Sequence, residues 1–290
     1  MVKPTAKLTK RKIDILVLSD VHLGTYGCHA KELLHYLKTV KPSVVILNGD
    51  IIDIWQFNKN YWPKSHMKLV KFFMHWISKG VKVYYITGNH DDMLRRFDGF
   101  KMGSFKIVNK LILPLANGKT AWFFHGDVFD VTMQHSKWLA KLGAVGYDTL
   151  ILINRFVNVI SEKVFNKGKL SLSKKIKNGV KSAVKFINNF EQTAADIAIS
   201  NQYDYVVCGH IHQPEIKEIE NQHGKTLYLN SGDWIENLTS LEYVNERWSL
   251  YRFDENERLD FILQGAAEEE PTTNELFNKM VEEFYAMKNY

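Results

Sequence analysis

Apolar residues in this chain arrive in two rhythms. Ile13–Leu18, Val44–Leu47, Val81–Ile86, Thr120–Phe124 and Tyr205–Cys208 are short runs rich in β-branched and aromatic residues. Their length and hydrophobicity predict strands buried on both faces. Between the first three runs the spacing changes to three and four. Ala30, Leu33, Leu34 and Leu37 then share one helical face. Leu69, Phe72, Phe73, Trp76 and Ile77 share another, with Gly80 placed to cap its end. Strand alternating with helix predicts the α/β class, a mostly parallel sheet carrying helices. Beyond His212 the pattern turns antiparallel. Glu215–Glu220 and Lys225–Asn230 flank Asn221-Gln222-His223-Gly224 as a hairpin, and Glu242–Phe253 reads as further strand.

The polar residues at the ends of these runs are more specific than the runs themselves. Ser19-Asp20-Val21-His22, Asn48-Gly49-Asp50, Gly88-Asn89-His90-Asp91-Asp92, His125-Gly126-Asp127 and Gly209-His210-Ile211-His212 each sit at a strand exit. In parallel architectures the loops after the carboxyl ends of strands lie along one edge, where ligands bind. Five clusters from distant parts of the sequence therefore converge there. A single Asp-x-His after a strand is ordinarily a hydrogen-bonded turn. Five clusters in series, each at a strand end, exceed what turn chemistry requires.

Composition bounds the class. The 290 residues suffice for a full core, and 45% hydrophobic with 24% charged residues is the balance of a soluble globular protein. Two cysteines, Cys28 and Cys208, cannot build a disulfide framework and favour a reducing, cytoplasmic setting. The basic start MVKPTAKLTKRK is followed by no apolar run of signal-peptide length, and Lys141, Asp148 and Arg155 break the stretch 138–160 as a membrane span.

Charge is unevenly spread. Residues 131–190 hold 11 Lys/Arg against Asp148 and Glu162, whereas the whole chain is only +6. Residues 131–195 interrupt the strand pattern with apolar and basic positions interleaved, which reads as a helical cap inserted in a domain spanning 1–253. From Asp254 to the end, 10 acidic residues stand against 3 basic ones, with a break at Pro271 and a peripheral helix expected over 274–288.

The donor set at the strand ends is Asp20, His22, Asp50, Asn89, His125, His210 and His212. Carboxylate and amide oxygens suit hard divalent cations, and several imidazoles shift the preference toward Mn, then Fe or Zn, over Mg. Two ions about 3.5–4 Å apart need a bridging carboxylate, and Asp50 on the middle strand is the natural one. His90, next to Asn89, has the chemistry of a general acid, with Asp91 beside it to orient the ring.

Asp-x-His, Gly-Asp, Gly-Asn-His-Asp, His-Gly-Asp and Gly-His-x-His in this order resemble the calcineurin-like metallophosphoesterase family, over roughly residues 13–253. The resemblance implies a four-layer fold of two packed mixed sheets flanked by helices. It implies one metal on Asp20, His22, Asp50 and His212, a second on Asp50, Asn89, His125 and His210, and His90 as general acid. Asn48–Trp55, His125–Asp130 and Asn230–Asn237 further resemble the UDP-2,3-diacylglucosamine diphosphatases of lipid A synthesis. Those enzymes cleave the pyrophosphate of a UDP-linked acylated sugar to UMP and a lipid sugar phosphate. They carry Arg where this chain has His90, the residue of the wider family. In them an insertion after His-Gly-Asp forms a lid over acyl chains. Leu139, Leu142, Leu150 and Ile153 would line such a groove here, and the basic residues of 131–195 would meet the cytoplasmic face of an inner membrane.

Two other readings compete. A phosphodiesterase or phosphatase acting on another substrate would use the same metals. Nucleic acid is not expected as a partner, because Gly168–Lys185 is Lys-rich without aromatics to stack bases. A non-catalytic scaffold of the same fold would have lost ligands, and all seven are present.

Overall fold

The computed structural model describes residues 10–55, 61–129, 187 and 189–254. The insertion read over 131–195 lies outside the described residues up to 186 and at 188, as do the basic start through residue 9 and the tail from 255. One compact unit ends at Arg252, and a second begins at Phe253.

Two mixed sheets form the unit. The first contains β1 (Arg11–Leu18), β2 (Val40–Asn48), β3 (Lys82–Ile86), β4 (Lys101–Met102), β5 (Phe105–Val108), β11 (Thr239–Val244) and β12 (Arg247–Arg252), in the order β12-β11-β1-β2-β3-β5-β4. The second contains β6 (Leu111–Pro114), β7 (Thr120–Phe123), β8 (Tyr205–Cys208), β9 (Glu215–Asn221) and β10 (Gly224–Asn230), in the order β6-β7-β8-β10-β9. β1, β2, β3 and β5 run parallel, and so do β7, β8 and β10. Antiparallel strands close the outer positions, as β11, β12 and β4 do in the first sheet. The five predicted strands are all present, divided between the two sheets. The strand character read over Glu242–Phe253 is divided between β11 and β12. Asn245 and Glu246, at φ +49° and +64°, form the two-residue turn between them.

Side-chain alternation explains the layering. Ile15, Val17, Ile46 and Ile86 face Ala121, Phe123, Tyr205 and Val207 in the core between the sheets. The alternate residues Leu16, Leu18, Val45 and Leu47 are buried on the opposite face. There α1 (Ala30–Thr39) and α2 (Lys64–Ser78) touch β2 and β3 and bury Leu33, Leu37, Leu69, Phe73 and Trp76. On the second sheet the outward residues Val206, Cys208 and Tyr228 pack under Phe190, Ala194, Ala195 and Ala198 of a helix at 189–200. The last residues assigned to the insertion, from 189, therefore cover the core of the second sheet. Small alanines let this helix approach closely. The result is four layers: helix, sheet, sheet, helix. Among the described residues no helix is long and apolar enough to cross a membrane.

Candidate dimetal centre

The parallel strands of both sheets end at one edge, and their exits are stitched together. The loops after β1 and β2 run side by side, with Asp20 N donating to Gly49 O at 3.1 Å and His22 N to Asp50 O at 2.9 Å. Across the seam between sheets, Asn48 Nδ2 donates to Phe124 O at 3.1 Å, and within the second sheet the exits of β7 and β8 are joined by Gly209 N donating to His125 O at 2.9 Å. The backbone at this edge is left-handed, at φ near +50° to +70°, in Asp20, His22, Asp50, His210 and His212. These are five of the nine described non-glycine residues with positive φ. Such conformations cost of order 1–3 kcal/mol each and persist where the surroundings over-determine them, commonly at functional sites.

Three groups of donor atoms result among the described residues, one of them His22 with Asp53 and His90, and the other two consist of predicted ligands. Asp20, His22 and His212 bring one ligand atom each within 4.8 Å of one another, and Asp50, His125 and His210 do the same. Asp50 lies between them, its Oδ2 at 3.1 Å from His125 Nε2 and 3.9 Å from His22 Nε2. Asn89 Oδ1 joins the second group, 3.3 Å from His125 Nε2. All seven residues predicted as ligands thus meet at this edge. Close approach is possible because of the intervening glycines. A Cβ on Gly49 would lie 2.3 Å from His125 Nδ1, and one on Gly88 would lie 2.2 Å from Asp50 Oδ1.

Hydrogen bonds set which ring nitrogen faces inward. His125 Nδ1 donates to Asn48 O at 2.9 Å, which leaves Nε2 toward Asp50. His22 Nδ1 donates to Asp53 Oδ2 at 3.2 Å, again leaving Nε2 toward Asp50. Asp50 Oδ1 accepts the His90 backbone N–H at 2.8 Å.

Asp53 was missed by sequence reasoning, and so was Asp233. Asp53 is fully buried, and its Oδ2 also lies 2.9 Å from His90 Nδ1, within ion-pair distance. The carboxylate next to the His90 ring is therefore that of Asp53, not that of Asp91, the residue expected to orient it. Asp91 is committed elsewhere, accepting from Gly88 N at 2.6 Å, Ile51 N at 3.0 Å and Tyr85 Oη at 2.5 Å. It holds the strand exits together and does not touch the His90 ring in any described contact. The signal was present: an aspartate among Ile51, Ile52 and Ile54 is bound to be buried and must be paired there.

Charge is concentrated at this edge, where Asp20, Asp50, Asp53, Asp91 and Asp233 are all at most 2% exposed. Burial opposes ionisation of Asp20, yet His212 beside it prevails and brings its pKa down to about 2. Burial likewise opposes protonation of His212, but Asp20 wins and raises it to about 9. Asp50 is held well below, and His125 well above, their ordinary values; each outweighs the other's burial. Burial disfavours a charged His90, and the neighbouring Asp53 and Asp50 carboxylates override it, so the pKa rises. Asp53 is lowered against its burial by His22 and His90.

This edge fits divalent cations. Asp20 Oδ1 is buried, accepts no hydrogen bond and lies 3.2 Å from His212 Nε2, in the arrangement of two ligands around a shared positive charge. Without a cation, protons on the imidazoles neutralise the carboxylates; a metal has to displace them. Affinity at the group containing His212 is therefore expected to rise with pH, by up to about tenfold per unit for one displaced proton. It should level off above about 9, where His212 is already neutral. Calorimetric Mn²⁺ titrations across that range check this, and a pH-independent affinity would contradict it.

The model of the calcineurin-like phosphoesterase family matches residues 13–214. The UDP-2,3-diacylglucosamine hydrolase of Blochmanniella pennsylvanica is 24% identical over 220 residues, covering 71% of this chain and 82% of that protein. The protein of the same name from Blochmanniella floridana is 25% identical over 268 residues, covering 85% of this chain and 100% of its own. A solved dimetal phosphatase from Danio rerio covers 82% of this chain and 95% of that one, at 11% identity and a TM-score of 0.37.

Proposed function

Because the chain belongs to the calcineurin-like phosphoesterase family and is a metal-dependent hydrolase of phosphate bonds, we propose that it cleaves the diphosphate of a UDP-linked, doubly acylated glucosamine. The products are UMP and an acylated sugar phosphate, an intermediate of lipid A synthesis. The observation that carries this reading is the match to proteins named UDP-2,3-diacylglucosamine hydrolase over 82% and 100% of their lengths.

In this reading Asp20, His22, Asp50 and His212 hold one divalent ion, and Asp50, Asn89, His125 and His210 the other, with Mn²⁺ favoured by the mixed imidazole and carboxylate set. Bound cations supply Lewis-acid polarisation of the phosphate and a water acidified toward neutral pH. The protein's own residues do the rest. The Asp53 carboxylate, 2.9 Å from His90 Nδ1, holds that side of the ring and leaves Nε2 to face the departing oxygen. The raised pKa favours the protonated form that a general acid requires. The side chain of His90 is 18% exposed, so the ring reaches the surface where substrate arrives. Cytoplasmic location and contact of 131–195 with an inner-membrane surface belong to the same reading. A substrate other than the UDP-sugar is the second reading, favoured by His90 standing where the diphosphatases carry Arg.

A substrate panel with Mn²⁺ tests the choice: UDP-glucosamine derivatives of graded acyl length, bis-p-nitrophenyl phosphate, p-nitrophenyl phosphate and single-stranded DNA. Each methylene buried contributes about 0.8 kcal/mol, so four extra methylenes favour a lipid substrate by about 3 kcal/mol, more than a hundredfold. The specificity constant should climb accordingly with acyl length, at concentrations below micelle formation. Indifference to acyl length would sink the lipid substrate and leave the metal-dependent hydrolase intact.

A further inference from the structure

The two donor groups are supported differently. After β10 the chain passes through Ser231, Gly232 and Asp233 into a turn at 234–237. Asp233 Oδ1 accepts the backbone N–H groups of Ile235, Glu236 and Asn237 at 2.8, 2.5 and 3.1 Å, so the carboxylate fixes the shape of the turn. The other oxygen, Oδ2, accepts from Asn237 Nδ2 at 2.6 Å and lies 3.7 Å from His212 Nδ1. Asn237 Nδ2 also donates to the His212 backbone carbonyl at 2.8 Å. His212 is thus engaged at its ring and at its main chain, and that main chain is in the left-handed region, at φ +54°. The same turn reaches Asp20, whose carbonyl accepts the Trp234 N–H at 3.1 Å. Trp234 is fully buried, so this anchor is rigid.

The second group has no described bond to this turn: His125 Nδ1 donates to Asn48 O, Asp50 Oδ1 accepts the His90 N–H, and His210 meets the first group only through its backbone N–H, which donates to Asp20 Oδ2 at 3.1 Å. We propose that the turn from Asp233 to Asn237 is a positioning device for one donor group only, Asp20 with His22 and His212. It sets the cation affinity there and leaves the group of Asp50, His125 and His210 unaffected. Asn237 and Asp233 act through His212 and are positioning residues. The inference rests on the two-ion reading above.

Asn237 is the residue to change, because it is half-buried and its removal opens no core cavity. Loss of a group that orients a metal ligand typically weakens the metal about 10–100-fold. Titration of the full chain with Mn²⁺ against a competing chelator should give two ions in the wild type. In Asn237→Ala one ion should weaken by about 10–100-fold while the other is unchanged. Adding Asn237→Ala to His125→Ala should weaken the remaining ion by a similar factor, and adding it to His22→Ala should change little further. If the alanine variant does not fold, Asn237→Ser carries the same test, since its short hydroxyl cannot span both oxygens. Equal weakening of both ions, or of neither, overturns the proposal. Fewer than two ions in the wild type overturns the two-ion reading itself, a separate outcome.

Discussion

Replacing Asp50 by asparagine is expected to abolish hydrolysis. Asparagine keeps the shape of the side chain, and its oxygen can still accept the His90 N–H that Asp50 Oδ1 accepts at 2.8 Å. What disappears is the negative charge that stands between His125 Nε2 at 3.1 Å and His22 Nε2 at 3.9 Å. Two cations cannot share this space without it, because their mutual repulsion in a buried site is large. Turnover on bis-p-nitrophenyl phosphate should fall by more than about a thousandfold, beyond the cost of losing a single electrostatic contact. Near-normal turnover in that variant would mean that Asp50 does not bridge.

The second large effect concerns His90. Truncation to alanine should slow the reaction by about 10²–10⁴ on substrates with a poor leaving group, the usual worth of a general acid. Metal content should stay as in the wild type, since the described ion pair of the ring is with Asp53 and the backbone N–H that holds Asp50 remains. The deficit should shrink on p-nitrophenyl substrates, whose leaving group departs without a proton. Comparing rates across leaving groups of graded basicity separates the roles. An equal deficit on all of them would show that His90 positions the phosphate and does not protonate it.

Much of the site was legible because it is built on strand exits, where short apolar runs stop and polar residues must come next. Asp20, Asp50, Asn89, His125 and His212 announced themselves by type and position. The second layer was hidden for a physical reason. Asp53 and Asp233 act through contacts between segments 31 and 21 residues apart in sequence, His22 with Asp53 and His212 with Asp233, and no periodicity encodes that pairing. Asp91 misled because adjacency in sequence does not give adjacency of side chains; its carboxylate turns toward Tyr85 and Ile51. In the fold, the central parallel strands β1, β2, β3, β7 and β8 were readable from hydrophobicity. β4 and β5 were not, because they are short and carry lysines, as in Lys101–Met102 and Phe105–Val108, and β6, Leu111–Pro114, is four apolar residues ended by a proline. The division of the strand runs between two sheets came from family resemblance, since a buried strand in either sheet carries the same pattern.

The claim that Asp50 joins two cation sites at one strand edge is tested most directly by counting metal. Wild-type protein stripped by chelator and returned to Mn²⁺ should take up two ions per chain, with activity appearing in step, while Asp50→Asn should retain neither. A wild type that hydrolyses phosphodiesters at full rate with no bound metal, or an Asp50→Asn protein that holds both ions, would contradict the account.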